Sequence, residues 1–60
     1  MNKQFCLQKM REQIALVRRE PSHFGYAMGF LSGLASAEVI TEAEQDAVLA
    51  ELLAARDAGK

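Results

Sequence analysis

Cys6 and His23 are the one thiol and the one imidazole in this 60-residue chain, so nucleophilic or metal chemistry would have to begin with them. A cysteine nucleophile needs a base within hydrogen-bond reach and a third group to orient that base. Seventeen positions separate Cys6 from His23, and no acid is spaced to orient either one. One cysteine and one histidine also fall short of the four ligands of an ordinary zinc site, and an internal disulfide needs a second cysteine. Glu42, Glu44 and Asp46 are grouped but lack the spacing of a calcium loop; acids so placed favour a helix N-terminus. His23 reads as a neutral imidazole that caps a helix or faces solvent. The sequence therefore predicts a non-enzyme with no catalytic residues, no metal and no cofactor.

Charge and shape carry more. Up to Glu20 the five bases Lys3, Lys9, Arg11, Arg18 and Arg19 outweigh Glu12 and Glu20, whereas from Glu38 onward six acids outweigh Arg56 and Lys60. That split suits a fold in which the first helix lies beside the third, of the same or another chain. It also admits a nucleic-acid contact through Arg11, Arg18 and Arg19. Against that contact stand the acidic net charge of −1, the scatter of the bases around their helix and the lack of interleaved aromatics.

Between these charged ends, Pro21 to Ala37 contains no Asp, Glu, Lys or Arg, and Gly25, Gly29 and Gly33 recur at every fourth position. At about 100° per residue the glycines, with Ser32 and Ser36, form a smooth strip along a helix, while Phe24, Met28, Phe30, Leu31 and Leu34 cover the rest. Glycine inside a helix costs up to about 1 kcal/mol against alanine, so three in register imply that another backbone comes close. The neighbour can belong to this chain or to a second copy. The segment is too short and too diluted by His23, serines and glycines to span a membrane.

Three helices follow from the periodicity, and no strand does. The first covers about residues 3–19 with Asn2 as its N-cap; Cys6, Leu7, Met10, Ile14 and Val17 share its core-facing arc, and Phe5 and Leu16 project together on nearly the opposite side. Glu20-Pro21-Ser22 interrupts the pattern, because proline has no N–H to give and disfavours a helical residue before it. The second helix covers about residues 22–37. Thr41-Glu42-Ala43-Glu44 has the capping-box form and opens a third, about residues 42–58, with Gly59 as its stop. Val48, Leu49, Leu52, Leu53 and Ala55 make its bulky side. Ala43, Ala47, Ala50, Ala54 and Ala58 lie opposite, either as helix formers facing water or as a second close-packing seam.

Short connections make consecutive helices antiparallel neighbours, and residues 1–60 read as one all-α domain. At this size, burial worth about 25 cal/mol/Å² and an ordering cost of about 1.5 kcal/mol per residue nearly cancel, so completion by a homodimer is expected. The lone cysteine and the lack of a signal-peptide pattern point to a reducing, cytoplasmic setting.

Gly33-Leu34, Val39-Ile40-Thr41, Glu42, Glu44 and Leu52-Leu53 resemble the SHOCT domain, a short hairpin with a leucine-bearing helix, a Gly-Ile-Ile-Thr turn and a Glu-rich helix. Here Glu38 stands at the position of the turn glycine, and Gln45 and Asp46 replace the aromatic that follows the glutamates. The resemblance covers about a third of the chain and implies an oligomerising or partner-binding hairpin. In size and style the chain is also similar to the small helical proteins of phages and prophages, many of which bind and block a host protein. The combined expectation is a helical module that self-associates and binds, and can inhibit, another protein through Phe5, Leu16, Gly25, Gly29, Gly33, Phe30 and Leu34. A small nucleic-acid-binding regulator is the alternative.

Overall fold

Helix α1 spans Lys3–Arg19, and its start is tied as the sequence requires: the Asn2 carboxamide oxygen accepts from the Gln4 N–H at 2.7 Å and from the Phe5 N–H at 3.4 Å. The computed structural model describes residues 2–59, and within them α2 covers Phe24–Ser36, α3 covers Glu42–Ala58, and no strand is present. All three helix pairs pack on one another.

The junction between α1 and α2 differs from the expectation. Rather than opening α2 at Ser22, the chain makes a 3-10 turn over Pro21–His23, with the His23 N–H bonded to the Glu20 carbonyl at 2.9 Å. No side chain caps this turn, and α2 begins only at Phe24. Proline sets the tighter geometry, since it can start a helical turn but cannot donate within one.

Helix α2 ends in a Schellman motif. The Val39 N–H reaches back to the Leu34 carbonyl at 3.0 Å and the Glu38 N–H to the Ala35 carbonyl at 3.1 Å, which satisfies carbonyls that the helix leaves open. Glu38 occupies the left-handed position of this motif at φ 58°, the one positive φ at a non-glycine among the described residues. Only glycine adopts that conformation without a steric cost from its Cβ. Glu38→Gly is therefore expected to raise stability by about 0.5–1 kcal/mol, the strain relieved being partly offset by the greater freedom of the unfolded chain. Urea denaturation checks the sign, and an unchanged or lowered midpoint would count against it.

Two residues on, the capping box forms in full. The Thr41 hydroxyl accepts from the Glu44 N–H at 3.1 Å, and a Glu44 carboxylate oxygen accepts from the Thr41 N–H at 2.8 Å. The same oxygen meets the Lys3 ammonium at 2.8 Å and so joins the start of α1 to the start of α3. At the other end, a Cβ on Gly59 would lie 2.8 Å from the Arg18 carbonyl oxygen and 2.7 Å from Pro21 Cγ. Helices α1 and α3 therefore run parallel, each antiparallel to α2. Gly59 has φ −83°, so the close approach of the Arg18–Pro21 turn, rather than a left-handed cap, is what excludes a side chain there.

Lys3 first, and then the Thr41 amide, hold the Glu44 carboxyl down to about 2 from an ordinary 4.5. Because the folded value is the lower one, this stabilisation is complete above the unfolded value and is lost as pH falls from about 5 towards 2. Glu44→Gln keeps an acceptor for the Thr41 N–H but removes the charge. Its stability deficit against wild type, read as a urea midpoint, is expected to be present at pH 6 and to shrink steadily below pH 5.

The core is drawn from all three helices: Cys6, Met10 and Val17; Ala27, Leu31 and Leu34; Val48, Leu52 and Ala55; with Ile40 supplied by the connection before α3. Leu7, Ile14, Phe24, Met28, Phe30, Val39 and Leu49 pack around it, half-buried. Ala43, Ala47, Ala50, Ala54 and Ala58 are all exposed, so within the chain the alanine side of α3 is a solvated face. No helix among the described residues is long and apolar enough to cross a membrane.

Candidate interaction surface

The predicted surface residues separate into four groups. Phe5 and Leu16 stand out from α1 at 52% and 38% exposure, as their position opposite the core arc requires. Gly25, Gly29 and Gly33 are exposed on α2, and a Cβ built on any of them meets nothing within 4 Å. The version of the close-approach expectation in which the neighbouring backbone belongs to the same chain is thus overturned: α1 and α3 pack on the other side of α2, against Ala27 and Leu31. Leu34 is also corrected, because at 7% exposure it lies in the core and offers no surface. Phe30 is half-buried, packed on the core and still partly accessible.

Two large apolar side chains belong with these, although the sequence assigns neither to the binding surface. Tyr26 is the most exposed of the large hydrophobic residues at 64%, and Leu53, assigned to the bulky side of α3, is 38% exposed. A usable signal for Tyr26 was its angle on the helix wheel, between Phe30 and Gly33.

Pairs that bridge helices show which way each face points. His23 Nε2 lies against the Gln13 side-chain oxygen, and the His23 and Tyr26 rings stack at 5.0 Å with a 32° tilt, so this corner ties α1 to the start of α2. The imidazole therefore neither caps α2 nor faces free solvent. On the other flank the Arg56 guanidinium of α3 sits 4.7 Å from the centre of the Phe24 ring of α2. The Lys9 ammonium lies 5.4 Å from the Phe5 ring centre, and 3.6 Å from a Glu12 carboxylate oxygen. Cations over aromatic faces gain electrostatically while their stems cover apolar surface.

The residues considered for chemistry do not assemble. Cys6 is 1% exposed, inside the core near the start of α1. His23 is fixed to Gln13, which at 1.5 Å per residue stands about 10 Å further along the same helix. Arg11, Arg18 and Arg19 are all exposed. Arg11 and Arg18, seven residues apart, share one face of α1, while Arg19 points about 100° away.

Comparison with protein-family models, with curated proteins and with solved structures gives no match to this chain.

Proposed function

We propose that this chain is a small helical interaction module that self-associates and binds a second protein through the outer side of α2 and its two borders. The observation that carries this reading is that four large hydrophobic residues, Phe5, Leu16, Tyr26 and Leu53, stay exposed, and that α2, which presents Tyr26, bears no charged residue. Aromatic side chains that bury on contact usually supply most of an interface's binding energy, and an uncharged helix face lowers the desolvation cost. The SHOCT-like pattern of Gly33 to Leu53 and the small-protein style of the chain agree with a binding role, one that can include inhibition of the bound protein.

Affinity capture from cells of the source organism, at moderate salt, tests the reading. Wild type is expected to retain one discrete protein that the double variant Phe5→Ser, Tyr26→Ser does not, with the variant's helical circular dichroism unchanged. If the captured material were instead nucleic acid, with an affinity that falls steeply as salt rises and depends on Arg11 and Arg18, the regulator reading would replace this one.

A further inference from the structure

We draw no further inference here: the strongest candidate, the uncharged outer face of α2 with its stripe of Gly25, Gly29 and Gly33, is an unpartnered helix face, and nothing in the structure shows what covers it.

Discussion

Leu52→Ala is expected to lower stability by about 2–5 kcal/mol and to leave much of the chain unfolded at 25 °C. Leu52 is 0% exposed and lies in the middle of α3, so truncation removes contacts to the core and leaves a cavity that three short helices can close only by shifting. At roughly 0.05–0.15 kcal/mol per residue, a chain of this size has only about 3–9 kcal/mol of stability to lose. The neighbouring position supplies the control. Leu53 is 38% exposed, and Leu53→Ala is expected to cost less than about 1 kcal/mol in the isolated chain. Urea titrations followed by circular dichroism compare the two. Equal losses would mean that α3 is rotated by about 50°, half the angle between successive residues, from its described orientation.

Ala27→Leu is expected to be the most damaging enlargement, at about 1–3 kcal/mol. Ala27 is 0% exposed and brings the inner side of α2 close to its neighbours, and the added carbons have no space that side chains can vacate without leaving their rotamers. Two residues along, Gly29→Ala is expected to act in the opposite direction in dilute solution. Its Cβ meets nothing within 4 Å, so the gain is the helix propensity, about 0.5–1 kcal/mol. The pair tests the orientation of α2 independently of any dimer. A stabilising Ala27→Leu would show that the helix presents a different side to the core.

The helices were legible in the sequence because their signals are local. Asn2 and the Thr41–Glu44 box act within one turn of the backbone they cap, and the apolar arc of Cys6, Met10 and Val17 needs only its own periodicity. The all-α class follows from the periodicity, and the antiparallel neighbours follow from the short connections. What was not legible depends on which edge of one helix meets which edge of another. Leu34 looks like surface beside the glycines, yet the packing of α2 takes it into the core, and Tyr26 is left outside. The two helix ends show the same limit from the backbone side. The left-handed residue after α2 is a glutamate, while Gly59 closes α3 with a negative φ and is confined by a turn nearly forty residues earlier in the chain. Residue type alone assigns these two roles the wrong way round. His23 is a third case, since its Gln13 partner lies ten residues away on another helix.

The parallel pairing of α1 with α3 sets an order of events for the growing chain. The α2–α3 hairpin is closed by contacts near in sequence, whereas the Lys3–Glu44 bridge spans forty-one positions and the approach of Gly59 to Arg18 another forty-one. Contacts of such separation form late, because the loop must close before they contribute. During synthesis the buried arc of α1 therefore waits, covered on one flank by α2 alone, until Leu52 and Ala55 have emerged. For that interval Cys6 and Met10 remain open to whatever meets a nascent chain, and native structure at the first helix is decided by the last one.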